Sequence, residues 1–183
     1  MIVTRRNFLR GLAGSAALTA LPTSGFASAL DSINEHHTIK LHSIHTGETG
    51  KFDIMVNGEF VAEELARADK LLRDHRTGDV EKMDQEALRL LAKIAKKTEN
   101  SKGFNIISGY RSPASNAMLA ANSGGVAKKS YHMRGMAIDI ALPGTDLNHL
   151  HNAAKSLKIG GVGKYSGSGF VHVDTGPVRY WGA

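Results

Sequence analysis

The chain has 183 residues, of which 42% are hydrophobic and 22% charged, enough for one domain with a buried core. Its net charge is +6, and the three cations Arg5, Arg6 and Arg10 lie in an acid-free leader, so the remainder carries +3 (6 − 3). That gives no reason to expect nucleic-acid binding, while a mildly basic surface suits an anionic polymer. The absence of cysteine removes disulfides, thiolate metal ligands and cysteine nucleophiles together.

The first residues read as an address. Thr4-Arg5-Arg6-Asn7-Phe8-Leu9-Arg10 has the twin-arginine pattern, Gly11 to Leu21 is an apolar run too short to span a bilayer comfortably, and Ala27-Ser28-Ala29 gives an A-x-A cleavage site. Residues 1–29 are expected to be a twin-arginine signal peptide, and residues 30–183 the mature domain. That domain is expected in a periplasm, with no membrane contact after signal removal; an uncleaved anchor is the alternative.

Thr38 to His45 alternates as a strand, Gly47 to Gly50 turns, Lys51 to Val56 forms a second strand, and Asn57-Gly58 closes it. Glu63 to Arg76 places Leu65, Ala68, Leu71 and Leu72 at helical spacing, and Gly78 breaks the run. Asp84 is positioned to cap a helix reaching about Thr98, with Leu88, Leu91, Ile94 and Ala95 inside and lysines near its negative end. A hairpin followed by helices predicts an α+β domain. Phe104 to Ser108 is a short strand that delivers Gly109-Tyr110-Arg111 into a turn, and Pro113 opens a helix to about Ala121. Residues 122–129 form a glycine-rich loop expected to border a cleft. Met136 to Leu142 is a strand ending at Pro143-Gly144, Thr145 or Asp146 caps a further helix, and Gly160 opens a final pair of strands joined by Ser166-Gly167-Ser168-Gly169. His36, His37, His42 and His45 are expected on a polar lead-in and an exposed strand face, and His75, His149 and His151 on helix surfaces. No internal repeat appears, and no glycine-rich piece has the strand–loop–helix context of a phosphate site.

Chemistry concentrates in two of these strands. His132 and Asp139 are seven positions apart, with Gly135 between them to let the backbone turn. Alternation puts Ala137 and Asp139 on one strand face and Ile138 and Ile140 on the other. In Phe170-Val171-His172-Val173-Asp174 the valines share one face, and Phe170, His172 and Asp174 the other. If the two strands are neighbours, His172 completes a His/Asp/His set. Three protein ligands with an open position suit a catalytic divalent metal, zinc first; a hydrogen-bonded surface pair is the plainer alternative.

Ser130-Tyr131-His132-Met133-Arg134-Gly135-Met136-Ala137-Ile138-Asp139, with Ser108-Gly109-Tyr110-Arg111-Ser112 upstream and Gly160 to Tyr165 and Gly169 to Gly176 downstream, resembles the zinc peptidases related to VanX and the D-Ala-D-Ala carboxypeptidases, which share the hedgehog fold. Within them it is most like the periplasmic murein endopeptidases of the MepK type, from about Leu41 to Trp181. The resemblance implies a small antiparallel sheet bearing the zinc site, flanked by helices, with one Zn2+ per chain held by His132, Asp139 and His172. It also implies that Arg111 binds a substrate carboxylate or stabilises the oxyanion, and that Ser130 bonds substrate or fixes the His132 loop. Where the VanX-like enzymes carry a glutamate three positions before the last histidine, this chain has Gly169. Asp174, on the strand face of His172, is the expected substitute as catalytic base, with orientation of a ligand as its alternative role. The implied function is zinc-dependent hydrolysis of murein peptide cross-links, with peptidoglycan stem and cross-bridge peptides as partners. A D-Ala-D-Ala-type carboxypeptidase and a non-catalytic, zinc-stabilised cell-wall binding module are the alternatives.

Overall fold

The computed structural model describes residues 35–122 and 126–182, so the expected export signal lies outside the described residues. An antiparallel hairpin, β1 (His37–Ser43) and β2 (Thr49–Val56), opens the domain, and a two-residue β3 (Glu59–Phe60) extends it. Then follow α1 (Ala62–Leu71), α2 (Gln85–Thr98), β4 (Phe104–Ser108), α3 (Pro113–Asn122), a 3-10 turn (Tyr131–Arg134), β5 (Ala137–Ala141), α4 (Leu147–Ser156), β6 (Gly161–Tyr165), β7 (Phe170–Asp174) and β8 (Arg179–Trp181).

The α+β class is as expected, but the sheet is not the small antiparallel one implied. It has eight strands in the order β3-β2-β1-β4-β5-β7-β6-β8 and is mixed, because β4 runs parallel to β1 and β8 parallel to β6. The connections explain this: β2, β3, α1 and α2 intervene between β1 and β4, and the short segment 175–178 after β7 turns the chain back to the free edge of β6. β3 and β8, of two and three residues, are too short to carry an alternating pattern.

The core is one layer of helices against one face of the sheet. Leu65, Ala68 and Leu72 from the α1 region, Leu88, Leu91 and Ile94 of α2, and Leu150 and Ala154 of α4 meet Ile39, Ile54, Phe104, Ile138, Ile140, Val171 and Val173. Asp84 caps α2 by accepting from the amide of Glu86 (3.0 Å), and Asp146 caps α4 by accepting from those of Asn148 and His149.

Helix α1 stops at Leu71, earlier than its apolar spacing predicts. Asp74 is fully buried and takes the amides of Arg76 (2.9 Å) and Ser112 (2.8 Å) on its two carboxylate oxygens, converting 72–79 into a turn that holds the segment before α3. His75 therefore lies in this turn rather than on a helix, and its ring stacks on His45 with centroids 3.8 Å apart. His149 is exposed as expected, whereas His151 is buried on α4.

Candidate metal centre

The site is built on the sheet face opposite α1, α2 and α4. The antiparallel register of β5 and β7 sets Asp139 directly across from His172, Ile138 across from Val173 and Ile140 across from Val171. Opposed residues share a face, so burying the isoleucines and valines in the core directs the aspartate and histidine together away from it. A register shift in β4 between Ile106 and Ser108 brings Ser108 opposite Asp139 and swings Gly109 to Arg111 toward the same place.

His132 arrives from the 3-10 turn. Ser130 caps that turn, its hydroxyl oxygen accepting from the His132 amide (3.3 Å), and the Arg111 amide donates to the His132 carbonyl (3.2 Å). Gly135 ends the turn at φ 65°, and its carbonyl accepts from the Asp84 amide (2.9 Å). A side chain at Gly135 would also strike the carbonyl of Lys82, so both conformation and space require glycine.

Each histidine is oriented by its outer nitrogen. His132 Nδ1 lies 2.7 Å from the Gly109 carbonyl oxygen, and His172 Nε2 lies 3.0 Å from Asp174 Oδ2. Donation through those atoms leaves His132 Nε2 and His172 Nδ1 facing inward, 3.2 Å apart, and 3.3 and 2.8 Å from Asp139 Oδ1. Three electron-rich atoms then converge on one point, an arrangement that calls for a cation. Bonds of about 2.0–2.1 Å at tetrahedral angles put ligand atoms about 3.3 Å apart, so the set fits a small divalent ion. His132, Asp139 and His172 are buried, and among the described residues they form the group able to hold a metal.

The groups of the site shift one another's ionisation. Burial works against a charge on His172, but hydrogen bonds to Asp139 and Asp174 outweigh it and raise its pKa to about 8. Burial likewise opposes the charge on Asp139, yet His132 and His172 hold its carboxyl well below the usual carboxylate range.

A cleft of about 270 Å³ covers these atoms, bordered by Arg111, Ser130, Tyr131, Tyr165, Arg179 and Trp181. Val126, Ala127 and Lys129 also line it, so part of the predicted glycine-rich loop does border the cleft. Arg111 Nη2 sits 3.7 Å from Asp139 Oδ2 and 3.4 Å from the Ser108 hydroxyl, while its buried Nε has no partner. Burial lowers its pKa and Asp139 opposes the shift; a guanidinium remains a cation.

Asp174 shares the strand face of His172, as alternation predicts, but its carboxylate is closed off. It is fully buried, and Oδ1 accepts from the amides of Gly161 (3.0 Å) and Gly176 (2.8 Å) and from Arg179 Nη1 (3.1 Å). Oδ2 faces His172 Nε2 and accepts from Arg179 Nη2 (2.6 Å). Burial opposes its ionisation, but His172, Arg179 and the two amides hold it well below the usual carboxylate range. Among the described residues lining the cleft, Asp139 is the sole carboxylate. Gly169, at the position of the related enzymes' glutamate, is exposed at φ 70° in the turn between β6 and β7, a conformation that disfavours a side chain.

Reading the sequence missed Arg179 and Trp181. The Trp181 ring tilts against His172 (centroids 5.3 Å) and its indole N–H donates to the Tyr165 hydroxyl (3.1 Å). A short tail with one arginine and one tryptophan gives no periodic signal; only pairing with β6 brings it to the site.

Among the described residues no helix is long and apolar enough to cross a membrane. Residues 31–181 match the profile of the family described as peptidoglycan L,D-endopeptidase MepK. A protein of that name from Escherichia coli K12 is 39% identical over 173 residues, covering 94% of this chain and 93% of its own length. The probable peptidoglycan L,D-endopeptidase MepK of Haemophilus influenzae is 38% identical over 165 residues, covering 90% and 88%. A match across nearly the whole domain, and a shared length, mean that this chain belongs to the MepK family of M15 peptidases.

Proposed function

We propose that the chain is a zinc-dependent peptidoglycan endopeptidase that cuts L,D-type peptide cross-links, the linkage named for its relatives. Residues 1–29 direct export by the twin-arginine route, and residues 30–183 act in the periplasm. The observation that carries this reading is the convergence of His132 Nε2, Asp139 Oδ1 and His172 Nδ1 beneath an open cleft. Zinc held there by three protein ligands would supply a water acidified to a pKa of about 7 and an electrophile for the peptide carbonyl.

The chain's own residues do the rest. Arg111 places a guanidinium beside Asp139 at the cleft floor, with an unpartnered Nε. There it receives a stem-peptide carboxylate or the negative charge that develops on the carbonyl oxygen. Ser130 fixes the turn that carries His132 and reaches the cleft wall, where it bonds substrate. Asp174, with every acceptor position used, orients His172 rather than carrying protons.

Purified sacculi digested by residues 30–183 test this, with muropeptides separated by chromatography. Loss of L,D-cross-linked dimers with zinc, but not with chelator or His172→Ala, is the expected result. Shortened stems with intact dimers would instead identify a carboxypeptidase. Unchanged sacculi with zinc bound would overturn this proposal and favour a cell-wall binding module.

A further inference from the structure

We infer that Arg179 is a positioning residue for the metal: through Asp174 it fixes the ring of His172 and so sets how tightly the centre holds its ion. This rests on the reading of His132, Asp139 and His172 as metal ligands. Strand β8 runs parallel to β6 with Arg179 in register with Gly161 and Trp181 with Gly163. A Cβ at Gly161 would fall 2.5 Å from both Arg179 Nη1 and Asp174 Oδ2, so the bare glycine is what lets the guanidinium reach across β6 to β7. There it clasps Asp174 with both terminal nitrogens, at 3.1 and 2.6 Å.

The guanidinium is itself held. It lies 5.1 Å from the ring centroids of both Tyr131 and Trp181, and cation–π attraction to two aromatic faces narrows its freedom. The resulting chain runs from an edge strand to a buried ligand: Arg179 to Asp174 Oδ2, Oδ2 to His172 Nε2, and the opposite ring nitrogen, Nδ1, to the metal position. Two parallel hydrogen bonds fix the carboxylate plane as a single charge cannot. A rotated carboxylate would release the His172 N–H and with it the aim of Nδ1. Partners of this kind typically alter metal affinity by about 10–100-fold.

The test is zinc affinity of residues 30–183, by competition with a chromogenic chelator, for the native chain, Arg179→Met and Arg179→Lys. Visible spectra of the cobalt-substituted proteins and melting curves of the metal-free proteins accompany it. Arg179→Met is expected to weaken zinc about 10–100-fold and to alter the cobalt spectrum. Added guanidinium ion should recover part of the loss, where sodium at equal ionic strength does not. Arg179→Lys, which keeps the charge but not the fork, is expected in between. A folded Arg179→Met protein with native zinc affinity and cobalt spectrum overturns the inference. If that variant does not fold, native affinity in Arg179→Lys overturns it. A native chain that binds no zinc instead overturns the metal reading beneath it.

Discussion

Replacing Asp174 with asparagine separates the two roles a carboxylate can play beside this site. The five contacts on the Asp174 side chain divide three to Oδ1 and two to Oδ2. An asparagine keeps most of them by leaving its oxygen at the Oδ1 position, which turns its NH2 toward Arg179 Nη2 and His172 Nε2–H. Two donor pairs then face each other. His172 relieves one by giving up its Nε2 proton and keeping a proton on Nδ1, the atom aimed at the proposed metal position. Each charge-assisted bond is worth about 1.5–3 kcal/mol, and one clash is relieved by loss of that Nε2 proton. Arg179 is part-exposed and can turn to water. The net loss is therefore about 3 kcal/mol, a fall of roughly 6–12 °C in the melting temperature of a domain this size. Zinc affinity should drop about 10–100-fold. The assay is kcat on cross-linked muropeptide dimers across a zinc titration, beside melting curves of the metal-free proteins. If Asp174 only orients His172, saturating zinc restores most of kcat. A variant with native melting temperature and zinc affinity, but kcat down about 10²–10⁴-fold at every zinc concentration, would make Asp174 the proton acceptor and refute the argument.

Three further outcomes are expected. Chelator should lower the melting temperature of the native chain and leave that of His132→Ala unchanged, since that variant has lost a ligand; equal falls in both would place the ion elsewhere. Ile140→Ala, at a fully buried position flanking Asp139 on β5, should cost about 2–5 kcal/mol in urea denaturation; a loss below 1 kcal/mol would mean that the core between β5 and the helices is looser than described. Glu35 bonds Arg89 and His37, and these hold its pKa down at about 2 from 4.5. A depressed carboxylate stabilises above its unfolded pKa, and that stability is lost as pH falls through the folded one. Arg89→Met should therefore be less stable than native above pH 4.5, with the gap closing between pH 4.5 and about 2; a gap independent of pH would assign the loss to packing instead.

Legibility followed pattern length. Beta strands 5 and 7 were readable because each puts apolar residues on one face and ligands on the other over five positions, and caps at Asp84 and Asp146 mark helix starts that the structure keeps. Apolar spacing alone overextends helix α1, because it does not register a buried Asp74 whose carboxylate draws the backbone into a turn. Strand β8 was invisible because nothing within Arg179-Tyr180-Trp181 announces that it will add to β6 in parallel. The enclosure of Asp174 follows from the same omission: alternation gives the face a side chain takes, but not the arginine that reaches it from an edge strand.

The three proposed ligands are not held alike, and that locates where the candidate centre is vulnerable. Asp139 and His172 face each other across a ladder in the interior of the sheet, flanked by β4 and β6, so their separation can change only if paired strands shift. His132 has no ladder. It depends on contacts from segments distant in sequence: the Gly109 carbonyl on its ring, the Arg111 amide on its carbonyl, and the Asp84 amide on the adjoining Gly135. Buried Asp74 ties the 72–79 turn to Ser112, and the Tyr110 amide donates to the Leu72 carbonyl. These bonds connect the turn after α1, through residues 109–112, to the His132 ring. Damage to the domain's first half should therefore loosen His132 in the proposed metal site first, leaving the Asp139–His172 pair in register.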